Sequence, residues 1–489
     1  MTGSSHSRVV ICVFDGLRAD FITPERTPRL AHFATGATWF REARSVFPSM
    51  TRVATSSMAT GAPPRVHGVV GNAFLFPAVT TKHILDVSRF EDIVLAEHAT
   101  GGRLIEVETF ADALAREQKQ FAIVHTGSAG TTHLLNPRAK ANKHWTFSIL
   151  GRDKTTTPHA VDEVVARFGP LPARSLPRFD DVEYAERVFR EHVLATMKPD
   201  VAQIWFSEPD TSQHYRFLGS PDTLGVLAAV DAAFGRIVDW IDAQSDRDRY
   251  TVIAASDHGQ ITMGQDLSLL DLLKGAGHDG RRTSQRTLEG ASFAMTDGNM
   301  GEIRILEGGT ARRDAIAQWL MEQDFIGMVF SRGRNEVEGE IPGTLALSLV
   351  DLDHARGPEL VYVLRSDDRP DAFGYPGLGI VTRGDVPVGG GMHGGLNRYE
   401  LNTVLMARGI GLGTGVLDKR ASGIIDIAPT VLAALGVAAP ASMTGQSLLR
   451  PDASPGAPLV HETGAGAFRQ RLVVVERERS RILMEGGRA

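Results

Sequence analysis

Four short polar segments of the sequence contain the residue types that bind divalent metal ions. Three of them follow apolar runs that are typical of buried strands, and the fourth lies in a glycine-rich turn. Their acidic and imidazole side chains are Asp15 in FDG, Asp210 and His214 in EPDTSQH, Asp257 and His258 in SDHG, and His393 in GGMHGG. Oxygen and imidazole ligands without a thiolate favour Zn²⁺, with Mn²⁺ as the alternative. The set is large enough for two ions, an arrangement that serves phosphoryl chemistry.

Each segment taken alone also has a structural explanation. A strand-end aspartate such as Asp15 commonly caps a helix or forms a turn. An aspartate and a histidine four residues apart, as in Asp210 and His214, commonly lie on a solvated helix face. It is the joint occurrence of the four segments, most of them after strands of one predicted sheet, that predicts a metal site.

The segment FPSMTRVATSSMATG (47–61) contains six hydroxyl side chains and ends in a glycine. A free hydroxyl is a poor nucleophile, but a bound metal ion lowers its pKa toward neutrality. The segment therefore supplies candidate nucleophiles for the predicted metal site, and its other hydroxyls are expected to pack within a helix or to bond back to its carbonyl groups.

The elements that must position these residues read as a largely parallel α/β sheet. Apolar β-branched runs end at polar residues in 8–14, 201–210 and 250–259, and helical periodicity lies between them near 109–118, 181–197 and 223–244. Strands that alternate with helices indicate a sheet covered by helices on both faces. Ligands of such sheets bind beyond the carboxyl ends of the strands, where the aspartates fall.

The stretch 260–390 has a different texture. MGEIRIL, GMVFSRG and ELVYVLRS suggest strands and the residues near 311–323 a helix, which together predict a smaller α/β insertion. The predicted division is a core formed by 1–259 and 391–489, with 260–390 as the insertion. In the second core segment, IIDIAPTVLAAL predicts a helix and the Pro- and Gly-rich stretch 439–457 predicts surface loops.

Composition limits the partners and the location. The net charge of −6 and the pI near 6.3 give no case for a nucleic-acid polymer or an anionic membrane as a partner. The single cysteine, Cys12, excludes an intramolecular disulfide and a multi-cysteine zinc site, and it is expected to pack in a strand. No leader or membrane-spanning run is seen, so the expected location is cytoplasmic. The oligomeric state stays open.

Six segments occur in an order and spacing that resemble the alkaline phosphatase superfamily, most of all its type I phosphodiesterase/nucleotide pyrophosphatase branch. They are VFDGLRAD, FPSMTRVATSSMATG, VHGVVGN, EPDTSQH, SDHG and GMHGG. The resemblance covers about 8–260 and 390–450, and it implies an alkaline-phosphatase-like core with a cap at 260–390.

The resemblance also implies residue roles. The family nucleophile falls on Thr51, the first metal site on Asp210, His214 and His393, and the second on Asp15, Asp257, His258 and the Thr51 hydroxyl. Asn72 matches a side-chain donor to a phosphoryl oxygen. The implied route is a covalent phospho-Thr51 intermediate that water, activated by the ions, then hydrolyses. Ser49 is the runner-up nucleophile, and His67 is expected to hold a turn.

The sequence departs from the nucleotide-cleaving members beside the nucleophile. Those members commonly carry an aromatic residue and then Pro-Asn, whereas this chain has Arg52, Val53 and Ala54. The change removes a stacking surface and adds a planar cation suited to carboxylate or phosphate. A second candidate for substrate binding is the loop 125–145, with Arg138, Lys140 and Lys143, although a plain surface loop is the competing reading.

The leading hypothesis is a two-metal hydrolase of phosphate diesters or related phosphorus esters, acting on a small anionic substrate. The alternative is a phosphonate hydrolase, of the phosphonoacetate type, or a phosphomonoesterase that uses the same centre. A third hypothesis, a non-catalytic phosphoryl-binding protein, is disfavoured because every expected ligand position is filled.

Overall fold

The computed structural model describes residues 7–282, 287–382, 384, 386–450 and 455–489. Two parts of the sequence predictions fall elsewhere. The first six residues of the N-terminus, where no leader was seen, and residues 451–454 of the predicted loop region lie outside the described residues.

The described part of the chain forms strands and helices throughout. The strands are β1 (Arg8–Phe14), β2 (Thr38–Phe40), β3 (Ala43–Arg44), β4 (Ala73–Phe74), β5 (Leu85–Asp86), β6 (Phe121–His125), β7 (Trp145–Ser148), β8 (Val201–Phe206), β9 (Tyr250–Ala255), β10 (Ile261–Leu267), β11 (Gly280–Arg282), β12 (Phe293–Met295), β13 (Met300–Ile305), β14 (Ile326–Ser331), β15 (Leu345–Ala346), β16 (Leu360–Leu364), β17 (Ser366–Pro370), β18 (Pro376–Thr382), β19 (Gly391–Met392), β20 (Leu405–Arg408), β21 (Val416–Asp418), β22 (Ser422–Gly423), β23 (Pro458–Ala465), β24 (Phe468–Glu476) and β25 (Arg481–Arg488).

The α-helices are α1 (Pro28–Thr35), α2 (Thr51–Thr60), α3 (Pro64–His67), α4 (Phe90–Thr100), α5 (Phe110–Arg116), α6 (Ala129–Leu135), α7 (Pro158–Phe168), α8 (Phe179–Val188), α9 (Asp210–Arg216), α10 (Pro221–Asp242), α11 (Leu269–Gly275), α12 (Gly309–Met321), α13 (Arg398–Leu401) and α14 (Ile427–Ala434). The helix predicted near 181–197 is α8 followed by a π-helical segment, Phe189–Met197.

An eight-stranded sheet forms the centre of the fold, in the order β21-β2-β20-β9-β1-β8-β6-β7. The five strands from β9 to β7 run parallel, and β20 pairs antiparallel with β9. Strand β1 lies in the middle and is wholly apolar from Val9 to Phe14, because it packs against side chains on both faces. The prediction of a largely parallel central sheet is confirmed.

Helices cover both faces of this sheet. Apolar residues of α1, α7, α8 and α10 pack on one face, together with Cys12, and those of α2, α5 and α14 pack on the other. The predicted helices near 109–118, 223–244 and in IIDIAPTVLAAL correspond to α5, α10 and α14. In the described residues, no helix combines the length and the apolar character needed to cross a membrane.

Two further sheets lie in the stretch that was predicted to be an insertion. One has the order β11-β12-β13-β16-β14-β15, and the other has the order β17-β18-β10-β19. The strands expected from MGEIRIL, GMVFSRG and ELVYVLRS are β13, β14 and β16, and α12 is the expected helix. The second sheet brings β10 and β19, at the two ends of the stretch, side by side.

The last 32 residues form an antiparallel sheet, β23-β24-β25, that packs on both parts of the molecule. Leu472 and Leu483 are buried in one apolar cluster that contains both Phe47 and Phe330. The Gln470 side chain accepts a hydrogen bond from Val329 N–H at 3.0 Å and donates to the Val329 carbonyl at 3.0 Å. The C-terminal residues, which were predicted to belong to the core, therefore also contact the 260–390 stretch.

Candidate functional site

The three aspartates of the predicted site follow three adjacent parallel strands. Phe14 of β1 pairs with Phe206 of β8, and Val13 pairs with Ala255 of β9. The chain therefore leaves the sheet at one edge in all three places, and Asp15, Asp210 and Asp257 converge there. The turn after β1 needs Gly16, which has a φ of +67°, and a Cβ at this position would lie 2.9 Å from the Asp210 Cβ.

His393 reaches the same place from the four-stranded sheet β17-β18-β10-β19. Met392 of β19 pairs with Ile261 of β10, which begins four residues after Asp257. A side chain at Gly391 would collide with Gln260, so the strand can approach this closely only with glycine there. His393, the next residue but one, then lies over the carboxyl edge of the central sheet.

The structure brings together Asp210, His214 and His393, the residues that the resemblance assigned to the first metal site, and they are called the first cluster. His214 Nε2 lies 3.3 Å from Asp210 Oδ1, and His393 Nε2 lies 3.6 Å from the same oxygen. The three side chains offer ligand atoms that lie within 4.8 Å of one another.

The second cluster shares a carboxylate with the first. Its ligand atoms come from Asp15, Asp210 and His258, with His258 Nε2 3.5 Å from Asp15 Oδ1. Asp257, which was expected here in place of Asp210, lies alongside, and its Oδ2 is 3.2 Å from His258 Nε2. The rings of His258 and His393 stack with centroids 3.6 Å apart, so the two clusters are contiguous.

All three histidines are oriented in the same way by the backbone. Nδ1 of His214, His258 and His393 lies 2.6, 3.0 and 2.8 Å from the carbonyl oxygens of Gly391, Gly259 and Ser49, respectively. A carbonyl oxygen only accepts, so Nδ1 carries the proton and the neutral ring leaves the Nε2 lone pair for a ligand. Burial and the neighbouring His258 lower the pKa of His393 well below its usual range, which keeps that ring neutral.

The carboxylates have oxygens that no group of the described residues satisfies. Asp15 Oδ1 and Asp257 Oδ2 are buried without a hydrogen-bond partner. Burial raises the pKa of both carboxyl groups, and the neighbouring charges of Asp257 and Asp210 raise that of Asp15 further. A cation bound between them would replace the missing partners and favour the ionised form, so the donor set fits divalent ions.

Thr51 lies at the first position of α2, beside the second cluster. Its Oγ1 is 3.2 Å from His258 Nε2. The N–H groups of the first turn have no partner within the helix, so they and the helix dipole favour an anion at this end. The backbone N–H of Arg52 donates to Asn72 Oδ1 at 3.2 Å, which leaves the Asn72 amide nitrogen as the group that can donate to a ligand.

The other hydroxyls of 47–61 have structural partners, as predicted. Those of Thr55, Ser56 and Thr60 donate to carbonyl groups four residues earlier, and Ser57 Oγ lies 2.9 Å from His67 Nε2. Ser49 Oγ donates to the Gly395 carbonyl at 2.9 Å and accepts from Gly394 N–H at 3.0 Å, so it holds the loop that carries His393.

Two cavities flank the two clusters. One, of about 790 Å³, extends toward the 260–390 stretch and is lined by Asn72 among others. The other, of about 580 Å³, extends toward the segment before α8 and is lined by Asp15, Thr51 and Asp210. Arg52 lines both cavities, and its Nε is buried without a partner among the described residues.

The structure does not bring Arg138, Lys140 and Lys143 to either cavity. Arg138 Nε donates to Asp112 Oδ1 at 2.8 Å, and Asp112 lies in the first turn of α5. Arg138 and Lys143 line a separate cavity of about 1040 Å³, and Lys140 is exposed. The expectation that these residues reach over the metal ligands is corrected, because this ion pair holds the loop against α5.

Two residues that support the aspartates were missed from the sequence. Trp205 Nε1 donates to Asp15 Oδ2 at 3.0 Å, and Gln260 Nε2 donates to Asp210 Oδ1. Trp205 lies in an apolar strand, and its sequence context predicts only a core residue. A buried indole N–H nevertheless requires an acceptor. Gln260 directly follows SDHG, which is the only signal that could have indicated it.

The fold is of the alkaline-phosphatase type, and the family whose sequence model matches this chain comprises hydrolases that act on phosphorus esters. A sequence model described as "Type I phosphodiesterase / nucleotide pyrophosphatase" matches residues 9–360. The chain belongs to this family.

Solved structures share the fold at low sequence identity. Murine ectonucleotide pyrophosphatase/phosphodiesterase 5 is 16% identical with a TM-score of 0.60, and 88% of this chain and 96% of that chain are covered. An inactive variant of the murine protein in complex with AMP is 16% identical with a TM-score of 0.59, and the match covers 89% of this chain and 96% of that chain. Phosphonoacetate hydrolase from Sinorhizobium meliloti 1021 in complex with phosphonoformate is 18% identical with a TM-score of 0.62, and the match covers 88% of this chain and 96% of that chain.

The two-cluster geometry predicts how metal content responds to single substitutions. His214→Ala removes a ligand of the first cluster only, so we expect bound metal to fall from about two ions per chain to about one. Elemental analysis of purified protein dialysed against trace Zn²⁺ measures this, with His32→Ala, at an exposed position, as the matched control. An unchanged metal content in His214→Ala would contradict the assignment.

The buried His67 predicts acid sensitivity. Burial, and then the charges of His354 and Arg356, lower the pKa of His67 from 6.5 to about 3. The unfolded chain therefore binds this proton more readily, and the stability from neutral His67 is present above pH 6.5 and lost as the pH falls toward 3. We expect His67→Gln to reduce the slope of unfolding free energy against pH between pH 6 and 4, by up to about 1.4 kcal/mol per pH unit.

Urea unfolding at a series of pH values measures that slope, with His32→Gln as the control because its ring is exposed. Equal slopes in His67→Gln and the unsubstituted protein would show that His67 titrates normally in the folded state.

Proposed function

We propose that the protein is a two-metal hydrolase of phosphate diesters or related phosphorus esters, with Thr51 as the nucleophile. The observation that carries the proposal is the position of Thr51 Oγ1, 3.2 Å from His258 Nε2 and beside carboxylate oxygens that have no partner. Two divalent ions, with Zn²⁺ expected and Mn²⁺ the alternative, would supply Lewis acidity that lowers the pKa of this hydroxyl.

The proposed ligands are divided between two ions. Asp210, His214 and His393 would hold the first ion, and Asp15, Asp257, His258 and the Thr51 hydroxyl would hold the second. Asp210 also belongs to the second group of candidate ligands, so its carboxylate is available to either ion. Each histidine can offer Nε2, since the backbone carbonyl groups hold the proton on Nδ1.

The proposed reaction has two steps. Thr51 Oγ forms a bond to phosphorus, and the bond from phosphorus to one alcohol oxygen breaks; that alcohol leaves with a proton. Water then forms a bond to the same phosphorus, the bond to Thr51 Oγ breaks, and the hydroxyl recovers its proton. The products are an alcohol and a phosphate monoester, and no external oxidant or reductant is needed.

The first turn of α2 and Asn72 would stabilise the negative charge of the transition state. The helix begins at Thr51, so the N–H groups of its first turn would face a phosphoryl group bound at the Thr51 hydroxyl. The hydrogen bond from Arg52 N–H to Asn72 Oδ1 fixes the amide, and the Asn72 nitrogen can then donate to a phosphoryl oxygen. These donors are set by the fold before substrate arrives, which limits reorganisation during the reaction.

Arg52 favours a second candidate, the hydrolysis of phosphonates or phosphate monoesters at the same centre. Its guanidinium lines both cavities, and its buried Nε has no partner among the described residues. An arginine in this position can bind a second carboxylate or phosphate oxygen of a small, doubly charged substrate.

Removing the Thr51 hydroxyl tests the covalent route. We expect Thr51→Ala to reduce kcat on bis(4-nitrophenyl) phosphate by about 10³-fold or more, because the proposed covalent bond to phosphorus forms at this hydroxyl. Thr60→Ala makes the same change at the far end of α2, where the hydroxyl only bonds back to Ser56, and it should retain activity. Both variants should keep their bound metal, because Thr51→Ala removes only one weak ligand and Thr60→Ala removes none. Full turnover by Thr51→Ala would refute the covalent route.

A substrate panel decides between the two candidates. We expect a higher kcat/KM on bis(4-nitrophenyl) phosphate than on 4-nitrophenyl phosphate or phosphonoacetate if the diesterase proposal holds. A preference for phosphonoacetate or the monoester, lost in Arg52→Gln and kept in Arg249→Gln, would instead establish the second candidate. Arg249 is an exposed arginine at the opposite end of β9 from Asp257, so its replacement controls for the change in net charge.

A further inference from the structure

The two cavities beside the clusters differ in their charge. The larger one, called here the methionine cavity, is lined by Met50, Met263, Met300 and Met392. Apart from Arg52, which lines both cavities, the charged side chains of its wall are paired: Arg282 lies 3.6 Å from Asp297, and Glu302 is paired with Arg304 at 2.7 Å. This cavity is therefore suited to an uncharged, apolar part of a ligand.

The smaller one, called here the arginine cavity, contains Arg174 and Arg178 as well as Thr51. No carboxylate of the described residues lies within 4.0 Å of either guanidinium, although ion pairs are frequent elsewhere in the chain. Lys154, on the same cavity, is already paired with Glu91 at 2.6 Å. Arg52 and Arg89 also line this cavity, so Arg174 and Arg178 belong to a wall that is rich in guanidinium groups and can attract an anionic ligand.

Arg178 is fixed relative to the metal ligands by the turn that carries them. Its backbone N–H donates to Glu208 Oε1 at 3.1 Å, and its Nη1 donates to Ser207 Oγ at 3.5 Å. Ser207 and Glu208 lie three and two residues before Asp210 in the same turn. The half-buried Arg178 side chain therefore has a defined position beside the first cluster. Arg174 lies four residues earlier, in the irregular segment before α8, and is exposed.

The two guanidinium groups also lie close enough to repel each other. Burial, and then the charge of Arg178, lower the pKa of Arg174. Asp181, whose charge acts on both arginines, is buried and forms no ion pair with either, and burial raises its pKa. Two like charges that face one cavity without a carboxylate between them gain most from an anion that bridges them.

We propose that Arg174 and Arg178 form a distal anion site for a carboxylate or phosphate group that the substrate carries outside the scissile phosphoryl group. The inference rests on the proposed function, because it takes Thr51 and the two clusters as the place of the scissile group. The substrates are then phosphorus esters with one anionic arm, held in the arginine cavity, and one uncharged arm, held in the methionine cavity.

A guanidinium fork suits this role. It presents paired N–H donors that match both oxygens of a carboxylate or two oxygens of a phosphate, and it stays charged at all working pH values. The expected gain in affinity over an uncharged ligand is on the order of tenfold to a hundredfold for a well-placed charged hydrogen-bonded pair.

Binding of non-hydrolysable ligands tests the site without turnover. The probes are ω-carboxyalkylphosphonates with two to five methylene groups, each compared with the alkylphosphonate of the same length, on Zn²⁺-loaded protein by calorimetric titration. We expect the carboxylate to lower Kd by about tenfold or more at the best length. Alkane-α,ω-bisphosphonates of the same lengths then show whether the site prefers a phosphate-type oxyanion to a carboxylate.

The variants locate the effect. The ratio of the two dissociation constants should fall toward one in the double variant Arg174→Gln/Arg178→Gln and should be kept in Arg249→Gln, which removes a distant surface charge. Arg178→Lys keeps the charge but not the fork, and it should give an intermediate ratio. No carboxylate advantage at any length, or an advantage that the double variant retains, overturns the proposal.

Failure of this proposal is distinguishable from failure of the proposed function. Turnover of bis(4-nitrophenyl) phosphate, which has no second anionic group, reports on the catalytic centre alone. A protein that hydrolyses this diester but shows no carboxylate advantage has the proposed function without the distal anion site.

Discussion

Three carboxylates buried side by side at one edge of the central sheet are the constraint on which the rest of the site depends. Asp15, Asp210 and Asp257 lie where water cannot screen their charges, and two of their oxygens have no partner in the protein. Such a group is stable as anions only if cations are bound among them. Cations bound there would remove a repulsion that the fold creates, so we expect metal binding to stabilise the folded state.

The surrounding structure serves to hold neutral imidazoles against that charge. Each histidine donates Nδ1–H to a backbone carbonyl, and two of these carbonyls belong to Gly391 and Gly259, where the structure leaves no room for a Cβ. Ser49 has a structural role of this kind. Its hydroxyl, the second choice as a nucleophile, bonds to both Gly394 and Gly395 and so supports the position of His393. The hydroxyl that faces the clusters is that of Thr51, two residues later.

Local signals in the sequence were enough to predict the sheet and the convergence of the aspartates. Apolar runs that end in Asp15 or Asp257 report a buried parallel strand and its carboxyl end at once, and the carboxyl ends of parallel strands necessarily lie together. The hydroxyls of α2 were predictable for the same reason, because Thr55 and Ser56 bond to carbonyl groups within their own helix.

Contacts between distant parts of the chain could not be predicted in this way. Arg138 looked available for substrate because nothing near it in sequence neutralises it, yet Asp112, 26 residues earlier, takes its charge. Arg174 and Arg178 carry no motif, and their relation to Asp210 appears only when α8 packs beside the turn after β8. Charge pairing depends on tertiary neighbours, so a basic residue cannot be assigned a ligand from sequence spacing alone.

The C-terminal sheet also determines how the two parts of the molecule can move. The 261–392 stretch joins the central sheet through its two ends at β10 and β19, which lie side by side and would by themselves act as a hinge axis. Gln470 and the apolar side chains of β24 and β25 form a third attachment away from that axis. Attachments away from that axis oppose rotation about it, so a hinge motion that widened the cavities beside Thr51 would have to break these contacts.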